Sequence, residues 1–238
     1  MRLDKKLRRS GWKMGIVLCG LAWGCQEKPA SPLEVPPGDS QSQHSPELSG
    51  EVTEAGFQPL SLQDFEPFQA EKDTWTQVDE MIVTSGLPKS YIYTKKSYEN
   101  FTLQAEFQFV LTQEQEAKFQ KANTGILLAI QEPHKIWPRS LEVQGQFETM
   151  GSVRPNGGIP APAMQDQPAV RERVRRPAAD WNRMEIRMRG GAITAILNGE
   201  TVCTSEPGEL KSGPIGLQAE GYVVRFRNLS IREDAAQE

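Results

Sequence analysis

A carboxylate and an amide stand two residues apart at Glu142 and Gln144, inside the alternating segment from Arg139 to Gln146. In an extended strand such a pair shares one face, about 7 Å apart along the backbone. Side chains of these types can act as base, ligand or hydrogen-bonding group, and the same pattern also suits an ordinary solvated face. Arg227, between Phe226 and Asn228, offers a guanidinium to a ligand oxygen or pairs with a Glu on a neighbouring strand. His134 and Trp137 lie in the loop from Glu132 to Pro138. A loop His is usually just exposed; a role as ligand or base is its sharper reading. Trp137 and Trp181 can stack on a flat ring or fill a core. No Gly-x-Ser-x-Gly, phosphate-cradling Gly-rich loop or His-Glu-x-x-His is present, so esterase, nucleotide and zinc-protease chemistry falls away.

The elements that must position these residues read as strands. Phe101, Leu103, Ala105, Phe107 and Phe109 alternate with polar residues, and Met184, Ile186 and Met188 alternate with Arg and Glu. A period of two marks a strand with one apolar and one wet face. Gly190-Gly191 breaks the second run, Ala192 to Leu197 follows, and Asn198-Gly199 is a hairpin-turn signal before Thr201 to Thr204. Trp75–Val78 and Met81–Thr84 read as a hairpin, Ile126–Ile130 as a central strand, and 215–218 and 223–231 as the last two strands. The segment around Asp64-Phe65-Glu66 reads as a turn, and Thr112–Lys121 as a solvated loop or one helical excursion. Residues 147–179, rich in Gly and Pro, read as a long irregular loop, functional or mobile at that length. Short strands with frequent turns predict an all-β antiparallel sandwich.

The chain has 238 residues and a formal charge of −4. Residues 1–24 read as a signal peptide: six basic residues against Asp4, then the apolar run from Met14 to Trp23. Cys25 follows directly and is the candidate lipidation site, with cleavage of an ordinary signal peptide as the alternative. Residues 25–56 are Pro-, Ser- and acid-rich and predict a disordered tether. The domain is expected over 57–233, with a tail at 234–238. Export, with a lipid anchor in the periplasm or at the cell surface, is the expected location. Losing the signal leaves about −9 charges, which argues against nucleic acid as a partner and leaves the lipid anchor as the membrane contact. Cys203 is then alone, a small core residue in a strand, and no cysteine-based metal site is available.

Several segments, in order, resemble the 3-keto-disaccharide hydrolase family found in secreted bacterial proteins. They are Tyr98-Glu99-Asn100-Phe101, Asn123-Thr124-Gly125-Ile126, the run from Lys135 to Gln144, Asp180-Trp181-Asn182, Leu197-Asn198-Gly199, Gly216-Leu217-Gln218, and the run from Phe226 to Ile231. The resemblance implies a concanavalin A-like jelly roll and a carbohydrate substrate whose C3 hydroxyl has become a ketone. It implies Glu142 and Glu220 as catalytic candidates, and Gln144, Gln218, Arg227 and Trp137 as substrate-binding ones. It also leaves room for a divalent metal as enolate stabiliser, with Glu142, Gln144 and His134 as candidate ligands. The chain departs from the family pattern at Glu220, where many relatives have His, and at Gln146-Phe147, where they often carry an acid. A non-catalytic lectin-like module and a structural envelope protein are the rival readings. The basic run Arg171–Arg176 is expected as a solvated loop, or as a site for a carboxylated or sulfated glycan.

Overall fold

The structure is a computed structural model and describes residues 56–235; the expected signal segment and Cys25 lie outside them. Fifteen strands follow in chain order: β1 (Gln58–Pro59), β2 (Phe65–Phe68), β3 (Trp75–Val78), β4 (Met81–Thr84), β5 (Ser90–Thr94), β6 (Phe101–Val110), β7 (Gly125–Gln131), β8 (Arg139–Gln144), β9 (Val153–Asn156), β10 (Met164–Asp166), β11 (Asn182–Arg189), β12 (Ala192–Leu197), β13 (Glu200–Ser205), β14 (Gly216–Ala219) and β15 (Val223–Glu233). They form two antiparallel sheets. The nine-stranded sheet runs β10-β13-β12-β11-β6-β15-β4-β3, with β1 beside β15; the six-stranded sheet runs β2-β5-β14-β7-β8-β9. This is the expected all-β sandwich of concanavalin A-like type.

The alternating patterns place the core between the layers. Phe101, Leu103, Phe107 and Phe109 of β6 and Met184, Ile186 and Met188 of β11 are buried from one side. Ile92, Ile126, Leu128, Leu141, Val143, Leu217 and Ala219 come from the other. Burying a large apolar side chain contributes roughly 1.5–3 kcal/mol, so this double row holds the layers together. The turns obey local chemistry. Asn198 and Gly199 both take positive φ, 49° and 94°, and join β12 to β13 in the tight register Leu197↔Glu200.

Two of three local expectations change. Phe65 and Glu66, read as a turn, begin β2, which pairs with β5. Thr112–Lys121 does contain a helical turn, α1 (Gln113–Glu116), whose Thr112 hydroxyl accepts a hydrogen bond from Gln115 N. The segment 147–179 is not irregular: it carries β9, β10 and α2 (Pro168–Val174). β9 and β10, of four and three residues among Gly and Pro, complete too few alternations to show a period in the sequence. Within the basic run, Arg171 is 3% exposed, pairs with Asp166 and donates from Nε to Met150 O at 2.7 Å. That residue ties α2 to the sandwich and is no solvated cation. Cys203 is buried and free, as expected.

Candidate functional site

The site lies on the outer face of the six-stranded sheet. Alternation turns Leu141 and Val143 of β8 into the core, so Ser140, Glu142 and Gln144 point the other way. Gln218 faces outward from β14 by the same rule, since Leu217 and Ala219 face in. Antiparallel register then brings these strands together across β7: Gly125 pairs with Gln144, Leu127 with Glu142, and Leu217 with Ile126. Gly125 therefore sits between Gln218 and the two polar residues of β8. A methyl group there would lie 2.2 Å from Gln218 Oε1 and 2.4 Å from Glu142 Oε1. The missing side chain is what lets the amide and the carboxyl drop onto the backbone.

Glu142 is 5% exposed and Gln218 1%. A buried carboxylate needs donors, and Asn156 Nδ2 of β9 donates to Glu142 Oε2 at 2.8 Å. Burial raises the Glu142 carboxyl above its ordinary value, opposed by Asn156, by the charge of Arg154 and by Gln218. Glu220 stands just past β14, before Gly221 with its φ of 92°. Asn123 Nδ2 donates to Glu220 Oε2 at 2.7 Å. Burial and the nearby charge of Glu142 push Glu220 up to about 7, with Lys89 pulling the other way. The two carboxyls therefore feel each other, and one of them can hold a proton near neutral pH.

Among the described residues, four buried side-chain atoms lack a hydrogen-bond partner: Asn123 Oδ1, Ser152 Oγ, and Gln218 Oε1 and Nε2. All four belong to residues around this row: Ser152 O accepts from Gln144 N, and Thr124 Oγ1, one residue after Asn123, donates to Gln218 O at 2.8 Å. Such an atom costs about 1–3 kcal/mol when nothing satisfies it. Their concentration in one place marks a polar site built at the expense of stability.

The sequence candidates divide. Glu142, Gln144, Gln218 and Glu220 come together. Gln144 has its carbonyl oxygen engaged, accepting from Gln146 N at 2.9 Å, so it braces the β8 turn. Arg227 does not join them, which corrects the expected cluster: it is on β15, in the other sheet. Its Nε donates to Glu106 Oε2 at 2.8 Å and its guanidinium lies 4.0 Å over the Trp181 ring. Trp181 is thereby occupied. Trp137 is 37% exposed in the β7–β8 loop. His134 lies on the same face, over β5, where Tyr91 is the register partner of Gln218; its Nδ1 meets Tyr91 Oη at 2.7 Å, its Nε2 lies 2.9 Å from Glu132, and its ring stacks on Tyr93 with centroids 4.3 Å apart.

The expected metal set of Glu142, Gln144 and His134 is therefore not assembled. Both imidazole nitrogens and the Gln144 oxygen are engaged, and no group of three His, Cys, Asp or Glu suited to a metal occurs among the described residues. The residues present do not fit a protein-held divalent ion. Sequence reading left Asn123, Gly125 and Asn156 without roles. The first two stand in one of the family-like segments, but nothing in a linear pattern shows which side chains will lean on a glycine from two neighbouring strands.

Residues 58–232 match the family described as the 3-keto-alpha-glucoside-1,2-lyase-like domain, and the chain belongs to that family. Two solved structures from Parabacteroides distasonis ATCC 8503, both assigned as glycosyl hydrolases, share the fold. One is 21% identical with a TM-score of 0.55, covering 75% of this chain and 99% of that one. The other is 18% identical with a TM-score of 0.55, covering 76% and 94%. A Bacillus subtilis protein of unknown function with a galectin-like fold is 12% identical with a TM-score of 0.50, over 76% and 96%. Comparison with curated proteins gave no match.

Proposed function

We propose that the domain cleaves glycosides whose C3 hydroxyl has been oxidised to a ketone, with Glu220 as the general base. The ketone acidifies the C2 proton. Glu220 takes that proton, and the C2–H electron pair becomes a C2–C3 double bond with the charge on the C3 oxygen. The charge then returns to rebuild the ketone, the C1–O bond breaks, and the leaving oxygen takes a proton from water. Water adds to C1 of the resulting enone and C2 regains a proton, so the net change is hydrolysis. The route needs one well-placed base and does not require two carboxylates flanking an oxocarbenium ion.

The observation that carries this reading is Glu220 itself. It is partly exposed, held by Asn123, and pushed up to about 7, so it accepts a proton efficiently at neutral pH. Family membership supports the substrate class. The unpartnered amides also suit a lectin-like module that holds sugar hydroxyls without cleaving anything. Incubation with a 3-keto-glucoside and with the parent glucoside in deuterated water separates the two. Release of aglycone from the ketone alone, with deuterium at C2, supports the enzyme; binding without release or exchange supports the lectin. We also propose export with Cys25 as the lipid-bearing residue, tested by whether Cys25→Ser leaves the membrane fraction.

A further inference from the structure

We propose that Glu142 is a positioning residue, not a proton acceptor: it sits charged behind Glu220, held from both sides by the amides of Asn156 and Gln218, and makes Glu220 the base. The proposal rests on the reading of Glu220 as the base, and it concerns how that base is set.

The geometry has three parts. First, Glu142 lies deep in the site at 5% exposed, whereas Glu220 is partly open. Of the two carboxyls, the outer one meets a ligand first. Second, Glu142 has a donor on one oxygen only, Asn156 on Oε2. Its Oε1 is turned toward the notch above Gly125, where the Gln218 amide also points. That amide is 1% exposed and makes no hydrogen bond with either atom. A half-turn exchanges its oxygen and nitrogen without changing its shape, and brings Nε2 to the face where Glu142 Oε1 can accept it. The backbone oxygen of Gln218 is taken by Thr124, and its side chain is shielded from solvent. Third, Asn123 fixes Glu220 Oε2, so the two carboxyls cannot swing apart to relieve their repulsion.

The charged groups facing this pair come from each packed element. Arg154 of β9 acts on Glu142, Lys89 before β5 acts on Glu220, and the carboxyls act on each other. Asn156, Arg154 and Gln218 oppose the effect of burial on the inner carboxyl, and its negative charge adds to burial in raising the outer one. Glycine at position 125 is the condition for the arrangement, since any Cβ would displace both the amide and the inner carboxyl.

The test is direct titration of the Glu220 carboxyl carbon by NMR in wild type, Glu142→Gln and Gln218→Leu, together with the pH profile of kcat/KM on a 3-keto-glucoside. In Glu142→Gln the Glu220 midpoint is expected to fall by one pH unit or more, with the acid limb of the profile following it. Turnover at high pH should stay within about tenfold of wild type. In Gln218→Leu, Glu142 loses its second donor, and the midpoints of both carboxyls should move. Loss of all turnover in a folded Glu142→Gln at every pH would make Glu142 the base and overturn the proposal. An unmoved Glu220 midpoint in that variant would overturn it as well. If wild type shows no turnover yet the midpoint still moves, the proposed activity fails while the coupling of the two carboxyls stands. Thermal melts of the variants, and Glu142→Asp as a control that keeps the charge, separate these outcomes from misfolding.

Discussion

On the outer face of the nine-stranded sheet, Arg227 pairs with Glu106 and lies over Trp181, and Arg187 reaches Glu185 at 2.6 Å. A hollow of about 480 Å³ opens there, lined by Glu106, Arg176, Arg183, Glu185, Arg187 and Asn198. Its charges are answered across or along strands and remain wet: the Arg227 side chain is 41% exposed and that of Arg187 53%. On the outer face of the six-stranded sheet the same residue types are treated differently. Glu142 and Gln218 are almost fully enclosed, the Gln218 amide has neither of its atoms hydrogen-bonded, and a second carboxyl is packed close enough to raise its proton affinity. Paired and hydrated charges contribute about 0–1 kcal/mol each and mark a scaffold. Enclosed, under-satisfied groups cost stability, and a fold keeps them where they serve a purpose. The size of a hollow is the poorer guide.

Breaking the contrast at its tightest point should have the largest effect. Gly125→Val forces a side chain into the space of Gln218 Oε1 and Glu142 Oε1. It should lower stability by about 2–4 kcal/mol, in the range of overpacking with displaced buried polar groups, and reduce turnover more than a hundredfold. Urea denaturation and the 3-keto-glucoside assay read both.

Glu220→Gln should also abolish turnover, and its stability carries a sign. Folding raises this carboxyl to about 7 from an unfolded value of roughly 4.3. The native state therefore binds the extra proton more tightly, and the contribution, full below pH 4, is lost as pH rises toward 7. The Gln variant should match wild type near pH 4 and be the more stable protein at pH 8. A variant less stable than wild type at pH 8 would show that Glu220 is not strained by its surroundings.

Asn156→Ala removes the donor on Glu142 Oε2. The expected loss is about 1–3 kcal/mol at pH 8, shrinking as the pH falls and Glu142 takes up a proton. Equal losses on the acid and alkaline sides of the Glu142 titration would mean the amide supports the loop and not the charge.

Arg227→Ala, on the opposite face, should be the mildest change. Loss of one part-exposed ion pair and one guanidinium–ring contact predicts about 0.5–1.5 kcal/mol, reduced by salt, with turnover within twofold. A large drop in kcat here would place catalytic groups on the nine-stranded sheet and erase the distinction between the two faces.

Much of this molecule is written along the chain. The alternation in β6 and β11 settles which of their side chains face the core, because a strand's period of two is local geometry. Asn198-Gly199 settles a turn because few other residues accept its backbone angles. Glu142 and Gln144 are seen to share a face for the same reason, and the ordered segments from Tyr98 to Ile231 point to the family. Alternation tells inside from outside for a single strand but not which of two layers that strand will join. Layer choice depends on pairing between strands far apart in sequence, and so the tertiary structure alone put Arg227 on one face and Glu142 on the other. The closeness of Glu220 to Glu142, the amide left idle beneath them and the glycine that admits both come from β7, β8 and β14 meeting side by side. No residue in those strands announces its neighbours, and the raised proton affinity of Glu220 arises only when the fold brings those neighbours in.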